Sequence, residues 1–201
     1  MPSSSDSSTV SDPYDMRTFY TLAFTQVFSL IGSRMTGIAL GIWVFQDTGD
    51  ATPVLMATMF SQLPMMLAGG LGGVWADRLS RRRAIILADA GQALGTLLLI
   101  LSFFTGRFEY WQLYTVMFWQ GLLGMIQRPA ADASVTMLVP ESLRDRANAI
   151  RQLTGPMAAM IAPVSTGFLY AIVGLTGIMA VDMVTFVVAV VVVYFAHIPE
   201  P

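Results

Sequence analysis

At 201 residues, 55% of them hydrophobic and 12% charged, with a mean hydropathy of +0.63, the chain is far from a soluble domain, of which about one-quarter is charged. The absence of cysteine excludes a disulfide scaffold and thiolate-held zinc or iron–sulfur centres, and a single histidine, His197, removes most other metal and general-base chemistry. The net charge of −2 decides little, because in so apolar a chain the position of each cation matters more than the sum.

Residues 1–16 are polar, with the run Ser3-Ser4-Ser5-Asp6-Ser7-Ser8, and lack an apolar stretch. They are expected to form a short disordered cytoplasmic tail rather than a cleavable signal. Six apolar runs follow, at 19–45, 53–75, 84–105, 111–131, 152–173 and 175–196. Each is about 21 to 27 residues long, enough at about 1.5 Å per residue to cross a hydrocarbon core of about 30 Å. The pattern predicts an all-α integral membrane protein with six transmembrane helices packed over 17–197. The connections at 46–52, at 106–110 and near Gly174 are short. The segment 133–149, with Pro140-Glu141-Ser142-Leu143-Arg144-Asp145-Arg146, is longer and is expected to hold an interfacial amphipathic helix between helices four and five.

All 11 cations are arginines. With the N-terminus inside, Arg17, Arg78, Arg81, Arg82, Arg83, Arg144, Arg146 and Arg151 lie on inner segments, whereas only Arg107 lies on an outer one. This bias on short loops predicts a multi-pass protein of the cell membrane with both termini cytoplasmic. Tyr14, Tyr20, Trp43, Trp75, Tyr110, Trp111 and Tyr194 fall near the span ends, where amphipathic rings favour the headgroup region. The 14 methionines are scattered rather than clustered, the pattern of flexible apolar packing.

Ionisable groups within a span are costly and therefore informative. Arg34 and Asp182 are the deepest, and are expected to form an ion pair, because an unpaired buried charge is strongly unfavourable. Such a pair serves as structural glue or as a substrate or proton site. Asp89, about two turns after Arg83, is expected to face the arginine cluster, and Arg128 and Asp132, four residues apart, to meet at the inner end of helix four. A solvated ion pair is the plain alternative for these charges.

Thr25, Ser29, Ser33 and Thr36 in helix one, and Gln120, Gly124, Gln127 and Ala131 in helix four, recur at helical spacing and form polar or small stripes. They suit a cavity wall, and polar helix packing accounts for such stripes equally well. Gly155, Pro156 and Pro163 in helix five mark bends, since proline removes a backbone hydrogen bond.

Within residues 69–83, the segment Gly73-x-x-Ala76-Asp77-Arg78-x-x-Arg81-Arg82 resembles the loop signature of the major facilitator superfamily, GxLaDrxGrk, at its place between the second and third helices. Ser80 stands where the signature has its second glycine. The resemblance implies that Gly73, Asp77, Arg78, Arg81, Arg82 and Arg83 belong to a loop that latches the cytoplasmic side in the outward-facing state. Enforcement of topology is the plainer role for Arg81 to Arg83.

Further segments look like the drug and siderophore exporter branch, which includes macrolide-efflux and enterobactin-exporter proteins. They are Gly32-Ser33-Arg34-Met35-Thr36-Gly37-Ile38-Ala39-Leu40, then Gln127-Arg128-Pro129-Ala130 with Leu138-Val139-Pro140-Glu141 and Ala147-Asn148-Ala149, and Val181-Asp182-Met183-Val184-Thr185-Phe186. Ala162-Pro163-Val164-Ser165-Thr166-Gly167 resembles the fifth-helix antiporter pattern GPxxGG, with Ala162 and Thr166 replacing glycines and Gly167 retained. The fourth-helix pattern RxxqG aligns on Met117-Phe118-Trp119-Gln120-Gly121, so Met117 occupies the place of an arginine linked to proton coupling.

The resemblance implies the N-terminal six-helix half of a twelve-helix fold, whose substrate binds near the midplane between the halves. Helices one and four then line the cavity, and the chain reaches Ile198-Pro199-Glu200-Pro201 where a linker to the second half begins. The function implied is secondary active efflux of small amphipathic molecules such as drugs, macrolides or siderophores. The partners are the lipid bilayer, a small-molecule substrate and a second six-helix half, whether a C-terminal half, a separate chain or a second copy. Neither a cofactor nor nucleic acid is expected. The alternative is a non-transporting six-helix subunit or remnant that binds a partner half. An enzyme is disfavoured, since GxSxG, P-loop and HExxH motifs are all missing.

Overall fold

The computed structural model describes residues 16–78 and 80–195, with side chains for all of these except 16, 68–78 and 134–138. Its helices are α1 (Met16–Thr48), α2 (Thr52–Arg78), α3 (Arg81–Phe104), α4 (Tyr110–Leu138) and α5 (Arg144–Phe195), with a one-turn 3-10 helix at Glu141–Leu143. No strand occurs among the described residues. The tail at 1–15 and the segment 198–201 expected to start a linker lie outside them, as does His197.

α5 holds two helical segments. At Gly174 the backbone turns to φ 65° and ψ −171°, a conformation that only glycine adopts without steric cost. The segments 144–173 and 175–195 therefore occupy the last two apolar runs. Through Pro156 and Pro163 the helix is unbroken, and a Cβ on Gly155 or Gly167 would meet nothing within 4 Å. The interruption falls at Gly174, where the sequence places a short connection, because local adjustment lets a helix pass a proline but not a left-handed residue.

The separate interfacial helix expected over 133–149 does not form. α4 runs on past Pro129 to Leu138, because from there neither glycine nor proline recurs until Pro140. Pro140 disfavours helix at the preceding Val139 and caps the 3-10 turn that leads into α5. Asp50 caps the start of α2: its Oδ1 accepts from Thr52 N and from Thr52 Oγ1, both at 2.9 Å. These donors hold the Asp50 carboxyl below its ordinary pKa.

Three described stretches, Arg17–Thr48, Arg81–Phe104 and Glu141–Phe195, are long and apolar enough to cross a membrane. α1 packs chiefly on α5 and α2 on α4, while α3 bridges α4 and α5. For α1 and α2 the main partner is therefore a helix remote in the chain, whereas α3 packs on its neighbour α4 as well as on α5. A core of Leu40, Val44, Leu99, Leu113, Ile178 and Met179 joins all but α2, which adds Ala57. Trp43 packs edge-on against Phe103 and Phe108, with ring centroids 4.8 and 5.1 Å away. The outer surface is apolar as well: Met66 is 78% and Phe168 71% exposed. Water would penalise that surface, whereas lipid tails do not.

Candidate functional site

A cleft of about 430 Å³ runs between α1, α2 and α4 over a floor from α3. Ser29, Ser33 and Arg34 come from α1, and Ser61, Gln62 and Met65 from α2. α4 supplies Met117, Gln120, Gly124, Gln127 and Arg128, and α3 supplies Gln92. Of the two sequence stripes, Ser29, Ser33, Gln120, Gly124 and Gln127 thus reach the same space. Thr25 bonds the Thr21 carbonyl at 2.7 Å and stays off the cleft, and Thr36 is buried behind it.

Gly121 sets the distance between two walls. A Cβ there would lie 2.1 Å from the Ser61 carbonyl oxygen, so only glycine lets the α2 and α4 backbones meet.

Two carboxylates sit behind the walls. Asp89 is 0% exposed and accepts from Gln127 Nε2 at 2.5 Å, and Gln127 Oε1 in turn accepts from Gln92 Nε2 at 2.9 Å. Asp182, 1% exposed, accepts from Ser33 Oγ at 3.1 Å, and the Thr36 and Thr96 hydroxyls lie beside it. Gln120 Nε2 reaches Thr96 Oγ1 at 3.2 Å, so this second network also ends on a cleft glutamine. Each cluster is a buried carboxylate that fixes the orientation of polar groups in the wall.

Three charge pairings expected from spacing are corrected. Arg34 does not pair with Asp182. Ser33 takes that carboxylate, and Arg34, one position on and about 100° around the helix, faces the cleft instead. Asp89 does not meet the arginines at 81–83, because its side chain points across to Gln127 of α4. Asp132 pairs with Arg151 of α5 rather than with Arg128. An i,i+4 pair on one helix is worth only about 0.2–0.5 kcal/mol, so a partner on a packed neighbour readily displaces it.

The arginines at the start of α3 divide into two kinds. Arg81 Nη1 donates to the Ala133 carbonyl of α4 at 2.9 Å. Arg82 donates to the Tyr194 carbonyl in the last turn of α5 and lies 5.3 Å over the Tyr194 ring. A guanidinium there complements the negative end of the helix dipole. Both thus tie the start of α3 to the ends of its neighbours. Arg83 is exposed and has no partner among the described residues. Gly73, Asp77 and Arg78 of the same motif lie outside the residues whose side chains are described. A second pocket, of about 240 Å³, adjoins the cleft at Gln127 and Arg128 and is bordered by the Asp132–Arg151 pair.

Sequence spacing missed Gln92, Ser61, Gln62 and Met65 of the cleft, and Gly32 behind it. Ser61-Gln62 was visible as a polar couple in an apolar run, and Gln92 as a residue one turn from Asp89. Neither forms a stripe, because α2 and α3 each offer the cleft only a short part of one face.

A match to the Major Facilitator Superfamily covers residues 22–201. Macrolide efflux protein A of Streptococcus pyogenes is 29% identical over 183 residues, 90% of this chain and 45% of that protein. Macrolide efflux protein A of Enterococcus faecalis is 28% identical over 148 residues, 73% of this chain and 46% of that protein. The enterobactin exporter EntS of Shigella flexneri is 24% identical over 153 residues, 76% of this chain and 37% of the exporter. The chain spans less than half the length of these curated relatives.

Proposed function

Because the chain belongs to the Major Facilitator Superfamily, we propose that it is the N-terminal six-helix half of a secondary active exporter of small amphipathic molecules. Drugs, macrolides and siderophores exemplify that class. The chain is a multi-pass membrane protein whose relatives include macrolide and enterobactin exporters. The observation that carries the proposal is the cleft, a polar space within an apolar bundle, with Arg34, Gln62, Met65 and Arg128 exposed along it. In this superfamily substrate sits between two halves that rock about it. A second six-helix half, whether a C-terminal half, a separate chain or a second copy, supplies the opposite wall.

The six spans are α1 to α4 and the two segments of α5. Both termini lie in the cytoplasm, and the loop of Gly73, Asp77, Arg78, Arg81, Arg82 and Arg83 is the inner latch. Arg83 supports this role, since an exposed guanidinium at the inner end is free to meet the other half. Met117 lines the cleft, so coupling by an arginine at that site does not operate. Single cysteines placed in this cysteine-free chain report topology by labelling from either side.

The test is flux into proteoliposomes, comparing the full-length protein that carries this chain with the chain alone. The full-length protein should drive uptake of a macrolide or a catecholate siderophore above empty vesicles, and the chain alone should insert without transporting. Background flux from correctly inserted full-length protein would overturn the proposal and favour a subunit that only binds a partner half.

A further inference from the structure

Arg34 and Arg128 are exposed and line one cleft. Neither makes an ion pair or a hydrogen bond among the described residues. The register of their helices is marked by Tyr110 Oη, which donates to Asp47 Oδ2 at 2.6 Å. Counted inward from that contact, Arg34 lies about 20 Å and Arg128 about 27 Å along the helix axes. Two cations thus stand at successive depths in facing walls, with amide and hydroxyl groups of Gln120, Gln127 and Ser33 close by.

Among the described residues, no carboxylate lines this space. Asp89 and Asp182 are the acids behind it, and both are sealed off, taken by Gln127 and Ser33 respectively. Asp132 borders only the adjoining pocket and is committed to Arg151. With no counter-charge among the described residues, Arg34 within the span and Arg128 nearer its inner end leave a positive space, and a ligand bearing negative charge relieves that cost where a cation would add to it. Guanidinium forks also match the oxygen pairs of carboxylate, catecholate and phosphate.

We infer that the cleft selects amphiphiles carrying a negative charge, which Arg34 and Arg128 hold by charge-assisted hydrogen bonds while apolar parts rest on Met65 and Met117. The inference rests on the export proposal for its biological meaning, but its test reads binding, so the two fail separately. Carboxylates of the second half are the competing counter-charge. The test therefore uses the full-length protein.

The purified protein in phosphatidylcholine vesicles is titrated with pyrenebutyrate and, separately, with pyrenebutyl-trimethylammonium, two probes with the same ring and opposite charge. Energy transfer from tryptophan to pyrene reports occupancy, since Trp119 adjoins Gln120 in the chain. Binding above that of protein-free and heat-denatured controls should favour the carboxylate by about tenfold, the scale of one charge-assisted contact. Arg34→Gln and Arg128→Gln should each remove most of that preference, and Arg34→Lys and Arg128→Lys should retain it, with thermal stability followed for every variant. Competition by phosphatidylglycerol assigns the anion to a lipid headgroup, and indifference to it assigns the anion to a free amphiphile. Either supports selection by charge. Preference for the ammonium probe, binding of neither, or a carboxylate preference unchanged in both glutamine variants overturns it. Selective binding without flux of any compound would instead count against export alone.

Discussion

Gly32 stands so close to Asp182 that a Cβ on it would lie 3.2 Å from the Asp182 Cα and 2.7 Å from Thr185 Oγ1. This contact lets α1 approach the second segment of α5 closely enough for Ser33 to reach the buried carboxylate. Gly32→Ala forces the helices apart against backbone, and should lower stability by about 1–3 kcal/mol. Gly37→Ala on the same helix meets open space and should leave the melting temperature nearly unchanged. A thermal melt of the two variants checks the contrast.

The absence of an Arg34–Asp182 pair has a thermodynamic signature. Asp182→Ala takes one acceptor from Ser33, whose hydroxyl keeps the Ser29 carbonyl, and empties the space beside the buried Thr36 and Thr96 hydroxyls, at a cost of about 1–3 kcal/mol. Arg34→Ala removes a side chain that faces the cleft. Because the two share no contact, their effects should add within about 0.5 kcal/mol in a double-mutant cycle. Restoration of stability in the double variant would show that they pair after all.

Gly121 and Gly124 are one turn apart on α4 and should respond oppositely to the same change. Alanine at 121 collides with the Ser61 carbonyl, whereas at 124 it meets nothing within 4 Å. Gly121→Ala should cost about 3 kcal/mol or more, beyond the usual range for overpacking because the clash is with backbone. Gly124→Ala should change stability by less than about 0.5 kcal/mol. Membrane expression and melting temperature together decide it.

Adjacent arginines at the start of α3 should separate stability from turnover. Arg82→Gln loses the charge at the end of α5 and should cost about 0.3–1 kcal/mol, visible as faster amide exchange around Tyr194. Arg83→Gln should leave the melting temperature unchanged and alter the transport rate of the full-length protein. Equal loss of stability in both variants would refute the division.

Much of the fold was legible from hydropathy because the bilayer imposes a length on each span and leaves the helix as the available solution for every buried backbone group. The runs at 19–45, 53–75 and 84–105 predict α1 to α3 within about three residues at each end, and the break at Gly174 separates the last two runs as expected. The stripe Gln120, Gly124, Gln127 was likewise readable, since one helical face meets one environment. The limit appears at 133–149. There an amphipathic pattern suggested a separate helix, but continuous helix-compatible sequence carried α4 to Leu138 and only Pro140 stopped it.

The sequence by itself determined that this is a multi-spanning helical membrane protein, and its loop signature pointed to its superfamily. It also placed ionisable groups within the spans. Only the tertiary structure decided what each of them meets: Asp182 takes Ser33, Asp89 takes Gln127, Asp132 takes Arg151, and Arg34 and Arg128 are left in the cleft. Helical spacing fixes the direction in which a side chain leaves its own helix. The partner depends on how near a remote helix can come, which small residues such as Gly32 and Gly121 control.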